Sequence, residues 1–571
     1  MDQGGQDGRE KALQLHRAGQ LGPARAAYEA LLAQAPGDAD LLGLAGVLAL
    51  QEERTGEAEA LFGRSLAAGG EARIHLRNLN NYLALLKEAR RDEDARALIA
   101  GGLPEWPEGA VPDAVERGTV LSLTEALARF GEPGRALALL EGVLPFLGDD
   151  AEVLNLAGRF RLMQGDAEAA LTALERAAAR DPGNWQALAA LSAAYDRLGR
   201  RAEARQAAAR FARASPVHIA PRHQTQQAAI LVLNNAPKWI ENPNVSARAL
   251  HLSINYISQL SQRKAAEYRF ISMFVDLPDP GPEIPPADVV FNNMASAEAM
   301  NVPGRLDRAV ALVERIGLPV INHPRAIFET TRQKNAERLR GIPGLKVPRI
   351  ERYRTDLAPV EQIVADIDHS FDYPVILRHA TSHMSANLQH SETGSVSVLV
   401  PDGDSLRAHI EKLGWLEFYA VEYVDLRKKA GYFRKIRAAC FDDEVIIPIV
   451  GCYSGWMVAG ARSKQVGIDF YRSHPETIEI SNRIARDPED VLGAGCLRTL
   501  EAIRDRMPLD QFGVDFDVDE DGTMVLFEAN SAMNFLPHPG EPADVVLPPE
   551  PFERVNAAFH RLVRRKIDGG A

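Results

Sequence analysis

The chain has 571 residues, too many for one hydrophobic core, which indicates roughly three to four domain-sized units. Its hydrophobic and charged fractions, 46% and 25%, are those of an ordinary soluble protein, and no apolar stretch approaches the ~20 residues that cross a bilayer. The formal net charge of −13 argues against a nucleic-acid partner, because phosphate neutralisation requires a basic face. We therefore expect neither a membrane nor a nucleic acid among its partners.

The N-terminus and the cysteines indicate a cytoplasmic protein. The first residues lack the apolar region of a secretory signal. Cys440, Cys452 and Cys496 are widely spaced and form no Cys-x-x-Cys pair, so we expect reduced thiols. Basic clusters such as Arg427-Lys-Lys429 and Arg434-Lys435 could still serve a small phosphorylated ligand.

The first ~215 residues are rich in Ala and Leu, poor in β-branched runs, and helical in pattern. They also repeat, since Ala170 and Pro182 recur 34 residues later as Ala204 and Pro216. Gly158 occupies a small position in the preceding helix, twelve residues before Ala170. This spacing, with a small residue at the helix crossing and a proline that closes the unit, resembles tetratricopeptide repeats.

The repeat resemblance implies a helical domain over residues 1–216, with roughly five to six helix pairs between residues 5 and 216. Such pairs stack into a solenoid with a continuous core and a concave groove. Two interpretations stay open for this domain: a groove that binds a peptide or protein partner, and a scaffold or dimerisation arm without ligand chemistry.

A polar segment with two prolines precedes a change to an α/β pattern, so we predict a linker at residues 217–227. An open-sheet α/β subdomain is predicted at residues 228–325, without the Gly-x-Gly-x-x-Gly dinucleotide fingerprint. Its predicted strands are residues 229–233, 268–275, 287–292 and 318–322, and its predicted helices are residues 245–262 and 305–316. The remainder, residues 326–571, mixes helices with apolar strands.

Two short β-rich segments, separated by a polar stretch that ends in glycine, predict a β-hairpin near the C-terminus. An even-length loop puts Asp515 opposite Leu526. Strand alternation then places Glu528 and Asn530 on the face that carries Asp515. Asp517 lies beside them. Two carboxylates and an amide oxygen suit Mg²⁺ or Mn²⁺, so we predict a metal site there. A solvated acidic hairpin is the alternative.

Five segments of the chain follow one another in a characteristic order. They are Pro319-Val-Ile-Asn-His-Pro324 with Thr331-Arg-Gln-Lys334, Tyr373-Pro-Val-Ile-Leu-Arg378, Ala420-Val-Glu-Tyr-Val-Asp425, Phe433-Arg-Lys-Ile-Arg437, and Gly513-Val-Asp515 with Glu528-Ala-Asn530. In this order and separation they resemble an ATP-grasp enzyme of the glutathione synthetase and ribosomal-protein glutamate ligase branch, over roughly residues 228–560. The resemblance implies that residues 326–571 form the nucleotide-binding and catalytic subdomains.

The resemblance also implies residue roles in ATP binding. Lys334 and Arg378 would meet the nucleotide phosphates, with Arg378 standing where the family usually has lysine. Arg437 would face the reacting phosphate as the catalytic residue. The metal would be held by the predicted hairpin site. The segment that would read adenine through its backbone consists of Glu422, Tyr423, Val424 and Asp425.

One departure from the family concerns the glycine-rich lid that usually follows the strand corresponding to Arg378. Residues 379–393 contain no glycine here. Hydroxyls of Thr381, Ser382 and Ser385 could replace backbone donors to phosphate. We expect this segment to become more ordered when nucleotide binds.

By resemblance, the function is that of an ATP-dependent carboxylate–amine ligase, which forms an acyl phosphate and then an amide. The substrate would be a small molecule or a peptide or protein-linked group recruited by the repeats. Two other functions stay open: a small-molecule kinase on the same fold, and an ATP-binding adaptor without turnover. Trp239, Tyr453 and Trp456 could line an acceptor pocket, although core packing is the more frequent fate of aromatic residues.

Overall fold

The computed structural model contains two compact units, of which the first runs to Ser215 and the second begins at Pro216. The predicted fold class, a helical repeat followed by an α/β unit, is confirmed by the elements of the two units. The structure describes residues 3–89, 91–101, 107, 111–220, 222, 224–235, 257, 260, 264, 267–275, 282–294, 297, 304–380, 397–457, 465–531, 533–536 and 547–569.

The described part of the first unit consists of helices in six consecutive pairs, the upper number that the repeats predict. They are α1 (Gln3–Arg17), α2 (Leu21–Gln34), α3 (Ala39–Gln51), α4 (Thr55–Ala68), α5 (Ala72–Glu88), α6 (Asp92–Ala100), α7 (Ala114–Arg129), α8 (Pro133–Leu147), α9 (Ala151–Met163), α10 (Ala167–Arg180), α11 (Trp185–Arg197) and α12 (Arg201–Ala214).

The repeated small residues lie where the two helices of a pair touch. A Cβ atom at Gly46 of α3 would approach the ring of Phe62 in α4 to 2.7 Å. A Cβ atom at Gly158 of α9 would approach Leu174 of α10 to 2.5 Å. Both distances are far below van der Waals contact, so only glycine permits this close packing. The small position of the predicted repeat thus has a packing cause.

The first sheet of the second unit has the strand order β1-β3-β2-β4-β5. Four parallel strands confirm the predicted open sheet, and a fifth strand, β1, pairs antiparallel with β3 at the edge. The strands are β1 (Val217–Ile219), β2 (Ala228–Asn234), β3 (Tyr268–Phe274), β4 (Val289–Asn292) and β5 (Val320–Ile321). Helix α13 (Arg305–Ile316) has the predicted bounds, whereas the helix predicted at residues 245–262 falls largely outside the described residues.

The predicted linker therefore contains an edge strand. Val217, His218 and Ile219 pair with Met273, Ser272 and Ile271 of β3. Strand β3 is buried along most of its length, and without β1 its outer edge would present unpaired backbone groups. The first residues after the repeats thus belong structurally to the α/β unit.

The second sheet is antiparallel, in the order β7-β10-β8-β9. Its strands are β7 (Ile350–Arg354), β8 (Val375–His379), β9 (Ser397–Val400) and β10 (Glu417–Glu422), and its helices are α16 (Val360–Ser370) and α17 (Gly403–Leu413). Apolar residues of both helices, such as Ile367 and Leu406, pack with Val375 and Leu377 of the sheet into one core. Arg378 is the penultimate residue of β8 and pairs with Ser397 of β9.

The third sheet has the order β12-β11-β13-β14-β6, and all its neighbouring pairs are antiparallel except β14 with β6. The elements after the first sheet are α14 (Pro324–Phe328), α15 (Arg332–Leu339) and β6 (Leu345–Lys346), followed beyond the second sheet by β11 (Phe433–Phe441), β12 (Val445–Tyr453), α18 (Gln465–Ser473), α19 (Pro475–Arg486), α20 (Pro488–Arg506), β13 (Gln511–Val518), β14 (Met524–Asn530) and α21 (Glu550–Gly569).

Strand β13 divides its side chains between a core and an opposite face. Phe512, Val514 and Phe516 lie in one apolar cluster with Leu500 and Ile503 of α20. Because strand side chains alternate, the carboxylates of this strand are forced onto the other face. The packing of α20 against one face therefore decides which face is polar.

Asn322 ties the first sheet to the third. It follows β5 with a left-handed φ of 58°, an uncommon conformation outside glycine that Asn tolerates. Its Oδ1 accepts hydrogen bonds from the amides of Asp510 and Gln511, and its Nδ2 donates to the Gln511 carbonyl at 2.6 Å. These bonds fix the start of β13 against the end of β5.

All three cysteines are buried and none forms a disulfide. Burial raises the pKa of the Cys440 and Cys496 thiols to about 12, so neither is a ready thiolate at neutral pH. Within the described ranges, no helix combines the length and the apolar character needed to span a membrane.

We predict that a fragment of residues 216–571 is a folded protein, whereas a fragment of residues 228–571 is less stable. The shorter fragment lacks β1 and leaves the edge of β3 unpaired. Size-exclusion chromatography and thermal melting of the two fragments measure the difference, which we expect to be several degrees in Tm and a greater tendency to aggregate. Equal melting and solubility would show that β1 contributes nothing to the second unit.

Candidate active site

The hairpin of β13 and β14 brings the predicted oxygen ligands together through a register that differs from the predicted one. Asp515 pairs with Glu528, so the expectation that it lies opposite Leu526 is wrong. Phe527 is an extra residue in β14, a β-bulge that shifts the register by one. Directly opposed residues of antiparallel strands share a face, and Asn530 shares it at the next alternate position. The three side chains therefore lie together despite the different register.

Each of three carboxylates on this hairpin is ion-paired with two cations. This arrangement places six cationic side chains around three anionic ones among the described residues. The pairs are Asp515 with Lys435 and Arg437, Asp517 with Lys428 and Arg434, and Glu528 with Arg332 and Arg378. We call these nine residues the charge cluster.

Asp515 is held by the strand that neighbours it. Arg437 pairs with it across β11 and β13, and the guanidinium Nε and Nη2 lie 2.7 and 2.8 Å from the two carboxylate oxygens. The Arg437 Nη1 donates to the carbonyl of Asn534 at 3.0 Å, which fixes the guanidinium plane. Lys435 adds a second cation, with Nζ 3.4 Å from Oδ2. A short bidentate pair of this kind is rigid and strongly oriented.

Burial and charge act in opposite directions on the groups around Asp515. Burial raises the pKa of the Asp515 carboxyl, but Arg437 and Lys435 outweigh it and hold the pKa below its ordinary value of 3.8. Burial lowers the pKa of the Lys435 ammonium, and the attraction of Asp515 offsets this only in part. Asp515 is therefore ionised at neutral pH, with both cations as its partners.

Asp517 anchors the loop that follows β10. It is fully buried, with Arg434 Nε 2.8 Å from Oδ1 and Lys428 Nζ 2.6 Å from Oδ2. The Lys428 ammonium also donates to the carbonyl of Val518 at 2.8 Å. Because Lys428 lies three residues after Asp425, these contacts tie the predicted adenine-reading segment to the third sheet.

Glu528 joins three elements of the second unit. Its Oε1 lies 2.8 Å from Arg332 Nη2 at the start of α15, and its Oε2 lies 3.3 Å from Arg378 Nη2 on β8. The amide of Asn530 donates to Oε1 at 3.0 Å. Helix α15 is itself held to β14, because Asn335 Nδ2 donates to the carbonyl of Ala529 at 3.1 Å. Arg378 thus belongs to the charge cluster, and its predicted contact with the nucleotide phosphates stays a prediction.

Lys334 lies outside the charge cluster. Its Nζ is 3.0 Å from both carboxylate oxygens of Glu329, and its side chain is 40% exposed. Arg332 belongs to the charge cluster instead. The sequence did not predict this, although Arg332 stands in the same motif. Residues two apart on a helix face nearly opposite directions, so only one of the two can point at β14. The role predicted for Lys334 stays a prediction.

The predicted adenine-reading segment starts at the end of β10. The Glu422 carboxylate accepts the amide of Arg349 at 2.9 Å and pairs with Lys346 at 3.0 Å. Burial raises the pKa of this carboxyl, but the Arg349 amide and Lys346 outweigh it and lower the pKa overall. The three residues that follow, Tyr423, Val424 and Asp425, form a loop. Their role in nucleotide binding stays a prediction.

The candidate aromatic and lid residues are only partly described. The ring of Tyr453 lies across Gly451, on the face of the third sheet that carries Lys435. Trp456 contacts the ring of Tyr423 edge-on, with the two ring centroids 6.5 Å apart. Trp239 and the lid residues 381–393 lie outside the described residues.

The hairpin fits a divalent cation that arrives together with an anion. Asp515, Glu528 and Asn530 offer hard oxygen atoms on one face. Yet both carboxylates are already paired with two cations, so a bare metal ion would meet positive charge. Within the described ranges, no group of three or more His, Cys, Asp or Glu side chains is placed to hold a metal by itself.

A sequence-family model matches part of the chain. The sequence model of the tetratricopeptide repeat family matches residues 161–225, which include α10, α11 and α12. No curated protein matches the chain.

Solved structures resemble each part of the chain. The D-alanine-D-alanine ligase from Coxiella burnetii is 12% identical, with 60% of this chain and 96% of that chain covered and a TM-score of 0.35. VanG D-Ala:D-Ser ligase from Enterococcus faecalis is 13% identical, with 61% and 100% covered and a TM-score of 0.35. YrrB, a TPR protein with an unusual peptide-binding site, is 14% identical, with 33% and 92% covered and a TM-score of 0.27. Likenesses at these values identify no activity, substrate or partner for this chain.

We predict that Asp515→Asn lowers the free energy of unfolding by about 3 kcal/mol at pH 7, because two buried cations lose their counter-charge. Since the folded-state pKa of Asp515 is depressed, its ion pairs stabilise fully above its ordinary pKa of 3.8 and are lost as the pH falls through the folded-state pKa. The difference from the wild type should therefore narrow only below about pH 4.

Urea denaturation at pH 7 and at about pH 3.5 measures this difference. Asp521→Asn, at an exposed carboxylate in the loop of the same hairpin, is the matched control and should change stability by less than about 0.5 kcal/mol. An Asp515→Asn variant as stable as the wild type at pH 7 would contradict this account of the charge cluster.

Proposed function

We propose that the second unit binds ATP with a divalent metal ion on the face formed by β11, β13 and β14, and that it acts as an ATP-grasp carboxylate–amine ligase. The observation that carries the proposal is the charge cluster, with six cations around three carboxylates in a chain of net charge −13. Excess buried positive charge is costly unless an anion compensates it, and a polyphosphate is such an anion. The ordered motifs of the ATP-grasp resemblance add to this support.

In the proposed complex, Arg378 and Arg437 bind phosphate oxygens. Asp515, Glu528 and Asn530 hold the metal, which would neutralise charge on the transferring phosphate. Arg437 is suited to the reacting phosphate because its guanidinium lies beside Asp515, with Nη1 held by the Asn534 carbonyl. The segment from Glu422 to Asp425 contacts the adenine through its backbone.

The proposed reaction has two steps. A carboxylate oxygen of the acid attacks the γ-phosphorus of ATP, and the bond to the β-phosphate oxygen breaks with release of ADP. The amine nitrogen of the second substrate then attacks the acyl carbon, inorganic phosphate leaves, and the nitrogen loses a proton. Positioning and electrostatics supply most of the rate in such a transfer, so no covalent enzyme intermediate is required.

We further propose that the repeat unit recruits a peptide or a protein-linked substrate. In α9, Asn155 is 2% exposed and its Oδ1 has no hydrogen-bond partner within the described ranges. Arg159, one turn further along α9, has a buried Nε that also lacks a partner there. Burial lowers the pKa of this guanidinium, and its ion-pair partner Glu125 lies 3.7 Å away. An unpaired acceptor and an unpaired donor, four residues apart on one helix, favour a polar partner over a bare scaffold surface.

We predict that Glu528→Gln lowers ATP turnover at least about 100-fold, because the metal loses a charged ligand. ADP release in the presence of Mg²⁺ measures turnover, and thermal melting verifies the fold. The matched control is Glu520→Gln, since Glu520 is a 72% exposed residue of the same hairpin, and this variant should keep wild-type turnover. Full activity of a natively folded Glu528→Gln protein would contradict the proposal that the hairpin holds the metal.

The reaction class is tested with hydroxylamine as the amine. Incubation of the full chain with ATP, Mg²⁺, a panel of amino acids and dipeptides, and hydroxylamine should give ADP and a hydroxamate, because hydroxylamine traps acyl phosphates. A stable phosphorylated product without hydroxamate would point to the kinase. Nucleotide binding without ADP formation across the panel would favour the adaptor without turnover.

A further inference from the structure

Arg332 is held against Glu528 by the start of helix α15. Its side chain is 9% exposed and its Nη2 lies 2.8 Å from Glu528 Oε1. Thr331 caps the helix, with its Oγ1 accepting the amide of Lys334 at 3.2 Å. Asn335, in the same helix, bonds to the carbonyls of Thr330 and Ala529, each at 3.1 Å. The backbone that carries Arg332 is therefore fixed relative to β14.

Because of the position of Arg332, the Glu528 carboxylate is both an ion-pair partner of this guanidinium and the proposed metal ligand. Glu528 is 13% exposed and already carries a second guanidinium, that of Arg378 at 3.3 Å. A metal ion bound to Glu528 would have to share its oxygens with these two cations, and like charges at such distances repel each other strongly in a buried site. A phosphate group nearby reverses this balance, because guanidinium groups bind phosphate oxygens at least as well as carboxylates.

We propose that Arg332 is a phosphate-binding residue, and that in the absence of nucleotide it occupies Glu528 in place of the metal. This inference rests on the proposed function of the hairpin as a nucleotide site. When nucleotide and metal enter together, the guanidinium of Arg332 moves from Glu528 to a phosphate oxygen. The carboxylate it leaves becomes the metal ligand. The metal therefore binds well only with nucleotide.

The same helix provides a cation that lacks this placement. Arg340 is the C-cap residue of the helix and is exposed. It lies about 12 Å from Arg332 along the helix axis. Arg340→Gln is thus a matched control, since it removes the same charge from the far end of the helix.

The test uses the full chain and two probes, Mn²⁺ alone and the fluorescent nucleotide mant-ATP with Mg²⁺. Free Mn²⁺ is quantified by electron paramagnetic resonance, and mant-ATP binding by fluorescence titration. In Arg332→Gln we expect mant-ATP affinity to fall about tenfold or more, because a charge-assisted hydrogen bond is lost. We expect Mn²⁺ affinity to rise several-fold, because one cation no longer occupies Glu528. Arg340→Gln should change neither affinity by more than about twofold.

The two opposite shifts distinguish this role from a structural one, since a damaged site would weaken both probes. Arg332→Lys keeps the charge but not the planar fork. Arg332→Lys should leave Mn²⁺ binding as weak as in the wild type. This variant replaces Arg332→Gln in the test if Arg332→Gln has a lower Tm than the wild type. Unchanged or weaker Mn²⁺ binding in a folded Arg332→Gln protein overturns the proposal. So does a mant-ATP affinity of Arg332→Gln that equals the affinity of Arg340→Gln.

Failure of the proposed function gives a different result. If the wild type binds no mant-ATP, the proposed nucleotide site is wrong, and so is the phosphate-binding role of Arg332. The Mn²⁺ measurement needs no nucleotide, so it still decides whether Arg332 blocks the metal ligand.

Discussion

The buried carboxylates of the β13–β14 hairpin impose the constraint on which the site depends. A buried carboxylate needs a cation, and one is enough for neutrality. Here each of Asp515, Asp517 and Glu528 has two. Among the described residues the cluster therefore carries more positive than negative charge. A polyanion that brings a metal ion satisfies both the cations and the carboxylates, which is why nucleotide and metal belong together in our proposal.

The fold supplies the six cations from four elements. Strand β11 presents Arg434, Lys435 and Arg437. Strand β8 of the second sheet presents Arg378, and the first turn of α15 presents Arg332. The loop after β10 adds Lys428. The apolar cluster under β13 keeps Asp515 on the opposite face, and Asn322 fixes the start of β13 to the first sheet. The charge balance is thus a consequence of packing, since no single element carries more than part of it.

The sequence predicts the elements better than the details of the site. The Arg305–Ile316 helix and the parallel strands follow from apolar periodicity, which is local. The register of the hairpin does not follow from this periodicity, because nothing in the local sequence marks Phe527 as a bulge. The choice between Arg332 and Lys334 depends on where α15 begins and which side meets β14, and both are tertiary facts. Strand β1 was not predicted, because three residues are too few to show the alternation of a strand.

The most direct test of the central claim is a crystal structure of the full chain with a non-hydrolysable ATP analogue and Mn²⁺, with the metal located by its anomalous scattering. Our account predicts an anomalous peak coordinated by Asp515, Glu528 and Asn530, with phosphate oxygens bound to Arg378 and Arg437. It also predicts that Arg332 has left Glu528. Triphosphate density elsewhere on the protein, with all six cations still paired to the three carboxylates, would contradict it.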